Sequence, residues 1–319
     1  MDKQAVPARD VSARPAVDLQ ALGNFLSSIG SDNQALIFGP DGNPMYHYTD
    51  LAGLLGIVDK HDLWLTHSLY SNDEAEMKHG MDVVKEVLAA EQNAAQDEGV
   101  RTRLELLSEH LTSALKGAYV CCFCKTDNLL SQWRAYGANG TGVSVEMNVQ
   151  AFDVITGPDL PVAQFGLLRF WKIFYDRETQ LSIVRDAIHY PHAAATPKEW
   201  AEKAADAIEF FLPTFKTSDF REEDEFRLIF TPAADCPVKP DFRVGRGMVV
   251  PFYSLRKLIE QADQLRGGQA DPRLERLPIT KVRMGPSPNK GLNAESIRMM
   301  LTHSGYSGLV EESRIPYRG

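Results

Sequence analysis

The sequence predicts an α+β fold, and three observations predict it. Short apolar runs with period-two alternation are scattered between residues 44 and 286. Helical periodicity is concentrated in the middle of the chain, and strands do not alternate regularly with helices as a doubly wound parallel sheet requires. The 319 residues are 44% hydrophobic and 24% charged, enough to build a sizeable core.

A first helix is expected over residues Leu19 to Ile29. The run PMYHYTD follows the turn residues Gly39, Pro40, Gly42 and Asn43 and reads as a strand. Asp50 can cap a helix from Leu51 to Val58. DLWLTH is a short strand, and Ser71 to Gln96 carries Met77, Met81, Val84, Val87 and Leu88 near helical spacing. Arg101 to Leu115 reads as a helix ended by Gly117. AYVCCFC is a strand, SQWRAYG a helical turn, and TGVSVEMNV a strand with Val143, Val145 and Met147 on one face. FGLLRFWKIFY is a further strand. Thr179 to Ile188 and Pro197 to Leu212 form a helical insertion, the second helix capped by Thr196. DEFRLIF and GMVVPFYSL are strands, Ser254 to Leu265 a helix, ITKVRMGP the last strand and Ala294 to His303 the last helix. Residues 1–17, polar and rich in Pro and Ala, are expected to be a disordered tail, and residues 18–319 a single domain.

Composition narrows the function. Lys plus Arg is 34 and Asp plus Glu is 43, a net charge of -9. Such a chain is not built for non-specific binding to a phosphate backbone, although a local basic spot can bind a nucleotide. No apolar stretch has the ~20 residues of a membrane-spanning helix, and the N-terminal residues lack the apolar middle of a secretory signal, so a cytoplasmic protein is expected. Three of the four cysteines, Cys121, Cys122 and Cys124, crowd one strand without a second Cys/His pair at ligand spacing. They read as small apolar fillers, and no metal is expected. The glycines of GANGTG precede a strand, the opposite of the context a dinucleotide fingerprint needs.

Four clusters carry possible chemistry. In MYHYT, His47 and Thr49 share a face with Met45, and Tyr46 and Tyr48 share the other; the polar face is either a binding face or a half-exposed strand with a satisfied histidine. In SNDEAE, Ser71 and Glu74 make a capping box, while Asp73 and Glu76 complement the helix dipole. Asn72 is required by neither and is a candidate binding residue. In FREEDEFRLIF, Phe226, Leu228 and Phe230 define a core face, which puts Glu223, Glu225, Arg227 and Ile229 opposite. Two carboxylates two residues apart on a strand lie about 7 Å apart and raise each other's pKa. Lys216 and Arg221 lie upstream to offset this; the bland alternative is an edge strand with a solvated charged face. In QWRAYG, Trp133, Arg134 and Tyr136 suit a flat ring and a phosphate, or else a core Trp and Tyr with a surface Arg.

In their order, YHYT, S-N-D-x-x-E, LSQWRAYG with a Gly-rich turn, F-x-x-E-x-E-x-R and M-G-P, these segments resemble the bacterial domain of unknown function 2971 family, from about Tyr46 to about Ile297. A weaker resemblance is to the ADP-ribosyltransferase superfamily, whose members open on a strand carrying His-x-Thr and end on one carrying a catalytic Glu. His47-Tyr48-Thr49 and Glu223-Asp224-Glu225 are similar to those two elements. Where that superfamily has Trp before the acidic strand, this chain has Phe220. That resemblance implies a bent or split sheet with flanking helices, and NAD as substrate. Glu225 and Glu223 would then be catalytic, and His47, Tyr48, Thr49, Asn72, Trp133, Arg134 and Tyr136 would bind the dinucleotide. It implies a macromolecular acceptor, protein or nucleic acid, and, for a delivered toxin or defence effector, a neutralising partner. A NAD glycohydrolase using the same site and a non-catalytic nucleotide-binding or sensor module are the alternatives.

Overall fold

The computed structural model describes Phe25 and residues 44–316, apart from 71–73, 114–116, 155, 157–163, 234, 246, 269–270 and 288–289. The expected tail lies outside these residues, as does the first helix apart from Phe25, which is helical and buried. In chain order the elements are β1 Met45–Thr49, α1 Leu51–Lys60, β2 Trp64–His67, α2 Glu74–Ala94, α3 Glu98–Ser113, β3 Tyr119–Cys124, α4 Leu130–Ala135, β4 Val143–Met147 and β5 Gly166–Lys172. They continue with α5 Arg177–His189, α6 Pro197–Phe211, β6 Glu225–Pro232, β7 Asp241–Gly245, β8 Met248–Ser254, α7 Leu255–Leu265, β9 Ile279–Met284, α8 Lys290–His303 and β10 Val310–Glu312. The fold is mixed α and β around one ten-stranded open sheet. Its pairs are antiparallel except β9 with β10, as expected of an α+β chain.

Strand periodicity divides the core in two. Met45, Phe123, Val145, Phe170, Phe226, Leu228 and Phe230 pack with α1, α7 and α8 on one face of the sheet. Val120, Trp171 and Ile229 pack on the other face with α2, α3, α5 and α6. Helices pack on both faces of the sheet and cover β6. β6 is therefore buried from Glu225 to Phe230 and pairs with both β3 and β5. This corrects the edge-strand alternative: the charged face of FREEDEFRLIF is interior.

β3 has three partners. One edge pairs along its whole length with β6, from Tyr119 opposite Phe230 to Cys124 opposite Glu225. The other edge is shared: Tyr119 and Val120 pair with β2, and Cys124 pairs with Tyr46 of β1. On that edge Cys121, Cys122 and Phe123, between those contacts, have no strand partner among the described residues.

Several local signals act as read. Asp50 caps α1 by accepting from Gly53 N at 2.6 Å, and Thr196 caps α6 by accepting from Glu199 N at 3.1 Å. The glycines of GANGTG serve backbone packing. A Cβ on Gly142 would meet Thr49 O at 2.2 Å, and one on Gly285, the glycine of M-G-P, would meet Gly140 O at 2.4 Å. Two strands escaped the sequence reading, β7 and β10, both at ends of the sheet. No helix among the described residues is long and apolar enough to cross a membrane.

Candidate functional site

Residues from three of the four motif clusters converge with Lys216 on one buried ion cluster. β6 begins at Glu225 because the preceding turn, Ser218–Glu223, ends with Asp224 in the left-handed region at φ 38°. That reversal takes Glu223 off the strand, so period-two parity does not carry back to it. The two carboxylates meet nonetheless, on the Nζ of buried Lys216, at 2.5 Å for Glu223 and 2.9 Å for Glu225. Glu76 of α2 reaches the same Nζ at 3.0 Å. Arg227, next on the Glu225 face of β6, binds Glu225 through Nε at 2.6 Å and Glu76 through Nη2 at 2.8 Å. It also donates to Pro213 O at 2.8 Å. Tyr136 donates to Glu223 at 3.4 Å, and the backbone N–H of Glu225 donates to the Tyr175 hydroxyl at 3.0 Å.

Three carboxylates face two cations, and the carboxylates are not equivalent. Burial alone would raise the pKa of Glu225, but Arg227 and Lys216 outweigh it and hold the group at about 2. Burial raises Glu223, offset in part by Lys216 and reinforced by Glu225 and Glu76. Lys216 and Arg227 are held charged by the same carboxylates, against the penalty of burial. Solvent reaches the group at Cys122, whose exposed thiol hydrogen-bonds Glu225, and at the half-buried Tyr136.

The expected dinucleotide residues are distributed differently. His47 lies with Met45 on the face of β1 opposite to Tyr46 and Tyr48, as parity requires. It lies beside that stretch of β3, donating from Nδ1 to Cys122 O at 2.8 Å, with Phe123 at 5.7 Å. A carbonyl only accepts, so Nδ1 carries the proton. Burial lowers the pKa of this histidine, so the ring is neutral with Nε2 as an acceptor. Glu225 projects from the other face of the sheet, so the structure does not place His47 and Glu225 in one cleft. Thr49 is half-buried beside α1, where its Oγ1 would meet a Cβ on Gly53 at 2.1 Å. Tyr48 and Trp133 form a buried pair, ring centroids 4.7 Å apart. The Tyr48 hydroxyl donates to Thr126 O at 2.9 Å and accepts from Leu129 N at 3.0 Å. The Trp133 Nε1 donates to Asn128 at 3.0 Å. Both rings are buried, with their polar atoms engaged within the fold. Arg134 is exposed on α4, and Asn72 lies outside the described residues.

Sequence reasoning missed Glu76 and Tyr175, and gave Lys216 only an offsetting role. Glu76 was assigned to the helix dipole, yet its carboxylate reaches across to two cations. The signal was present, since Glu76 is the last residue of S-N-D-x-x-E. Among the described residues no group of three or more His, Cys, Asp or Glu is placed to hold a metal ion.

The family described as protein of unknown function (DUF2971) matches residues 132–228. The match includes Tyr136, Lys216, Glu223, Glu225 and Arg227, and leaves Glu76 and His47 outside. No curated protein and no solved structure matches the chain.

Proposed function

We propose that the chain cleaves the nicotinamide–ribose bond of NAD and transfers ADP-ribose to a macromolecular acceptor, with the Glu223–Glu225 pair as its catalytic carboxylates. One observation carries this reading: two carboxylates that share Lys216 are pushed in opposite directions, one kept ionised and the other made more basic. Glycosyl chemistry needs that division of roles. As the C1′–N bond breaks, nicotinamide leaves with the electron pair and C1′ becomes cationic. Ionised Glu225 stabilises that cation. The acceptor nucleophile bonds to C1′ and gives its proton to Glu223. Arg134, exposed on the helix that also carries Trp133, supplies a cation for the pyrophosphate.

A second reading, a non-catalytic nucleotide-binding module, is favoured by the occupancy of Glu225, whose two oxygens are already engaged by Arg227 and Lys216. Labelled NAD incubated with the protein and a cell lysate separates the readings. Label on protein, RNA or DNA means transfer, and free ADP-ribose means hydrolysis with water as acceptor. Glu225→Gln is expected to lower NAD cleavage on the order of 10²–10³-fold. A wild-type protein that binds NAD without consuming it refutes the catalytic reading.

A further inference from the structure

The buried ion cluster is covered on its outer side by the short turn that leads into β6. Ser218 to Glu222 are exposed, between buried Lys216 and buried Glu223. Phe220 is 36% exposed, and its ring rests on the cluster, with the Lys216 ammonium 5.0 Å from the ring centre. The turn closes on itself: Phe220 N donates to Thr217 O and Asp224 N to Arg221 O, each at 3.2 Å, and Asp219 N donates to Thr217 Oγ1 at 3.3 Å. It can therefore move as a unit about its ends. Besides Phe220, two residues tie it down. Glu223 reaches inward to Lys216 and Tyr136. Asp224 reaches sideways to Lys125 and Lys172, at the ends of β3 and β5, at 4.0 and 3.7 Å.

Neither tie is costly to release. The side chains of the outer one are each more than a third exposed, and an exposed ion pair shifts an equilibrium by at most about fivefold. The inner one is expendable, because three carboxylates share two cations. Glu76 and Glu225 each bridge Lys216 and Arg227, whereas Glu223 binds Lys216 alone. Withdrawing Glu223 leaves two buried carboxylates against two buried cations, and the departing group regains its hydration. We propose that the turn Ser218–Glu223 is a lid over the cluster, hinged at Thr217 and Asp224 and latched by Lys125 and Lys172, and that its opening admits a ligand to Lys216 and Glu225. Both hinge residues stand at ends of the turn, where backbone rotation is absorbed, Thr217 extended and Asp224 left-handed. Phe220 and Glu223 swing out together. The lid serves a catalytic and a binding site alike, and so goes beyond either reading of the function. Salt loosens the latch by screening its exposed pairs and acts little on the buried ones.

Native-state trypsin digestion of the full chain tests this. The bond after Arg221 lies in the lid, and a protease cuts only a segment that has opened. Its cleavage is followed by mass spectrometry at low salt and at about 0.5 M salt. A free peptide of residues 214–228 corrects for the effect of salt on the protease. The expected result is cleavage after Arg221 under conditions where the sheet stays folded, up to about fivefold faster at high salt. Asp224→Asn keeps a residue that tolerates the left-handed backbone and removes only the latch charge. It should be cut faster at low salt and lose the salt response, with an unchanged circular dichroism spectrum. The double variant Lys125→Gln, Lys172→Gln removes the latch from the other side and should behave alike; it decides the matter if Asp224→Asn does not fold. A bond after Arg221 that is cut only as fast as the whole chain unfolds overturns the proposal. So does wild-type cleavage indifferent to salt, or a folded latch variant that is cut like the wild type.

Discussion

Glu225 illustrates how one residue can be legible in part. Its alternation against Phe226, Leu228 and Phe230 gave its direction correctly; what waited there could not be read. Glu76 lies on a helix far upstream, and no spacing rule links it to Lys216 and Arg227. Burial makes the partners interdependent: removing one member of a buried ion pair leaves an uncompensated charge, at a cost of about 3–5 kcal/mol. The pH dependence of Glu225 follows from its depressed pKa. A carboxylate held at about 2 in the folded chain, against an ordinary 4.5, contributes stability that is fully present above pH 4.5. That contribution, on the order of 3 kcal/mol, is lost as pH falls through about 2. Glu223 has the opposite sign: its raised pKa means that the folded state gains as the group takes up a proton. Chemical denaturation of wild type and Glu225→Gln at pH 7, 4 and 2 should therefore show a large gap at neutral pH that narrows in acid. A gap that stays constant with pH would mean that the charge of Glu225 is not what the cluster uses.

At the scale of elements, the parts the sequence disclosed are those set by local rules. Asp50 and Thr196 cap their helices because an extended residue with a short oxygen-bearing side chain precedes each one. β7 was missed although Phe242 and Val244 alternate, because DFRVG is short and three of its five residues are charged or glycine. β10 has three residues and gives a period little to act on. Gly142 was visible as a turn residue and Gly285 as the end of a strand, but their reason is tertiary: each lets a backbone from another segment approach where a Cβ would collide. Carbonyl oxygens in paired or closely packed segments do not yield as a flexible side chain does. Gly142→Ala and Gly285→Ala are therefore expected to cost about 3 kcal/mol each by overpacking. Gly56→Ala, in α1 with nothing within 4 Å of the added Cβ, should be neutral or slightly stabilising. Melting temperatures of the three variants check the contrast, and equal values would remove the packing account.

For the whole molecule, the pattern of strand partners decides how the parts depend on one another. β1 pairs with β4, β4 with β9 and β3 with β6, so neighbours in space are distant in sequence. Non-local pairing of this kind folds slowly, in milliseconds to seconds for small domains and longer for a chain of this size. Stopped-flow refolding should accordingly show phases of about a second or slower, and Glu225→Gln should mainly accelerate unfolding if the cluster closes after the sheet has formed. A single submillisecond phase would contradict this dependence on topology. The three-partner strand β3 has a further consequence during biosynthesis. When β3 leaves the ribosome, β1 and β2 are already available to one edge, but the whole opposite edge must wait about a hundred residues for β6. At translation rates of about 5–20 residues per second, that is a wait of several seconds with an apolar strand unpaired. Over this interval the nascent chain is a substrate for holding chaperones and is exposed to misassembly with its neighbours. The stretch that ends the wait brings Lys216, Glu223, Glu225 and Arg227 together within a single short segment. Closure of the sheet and neutralisation of most of its buried charge thus arrive as one event on the growing chain.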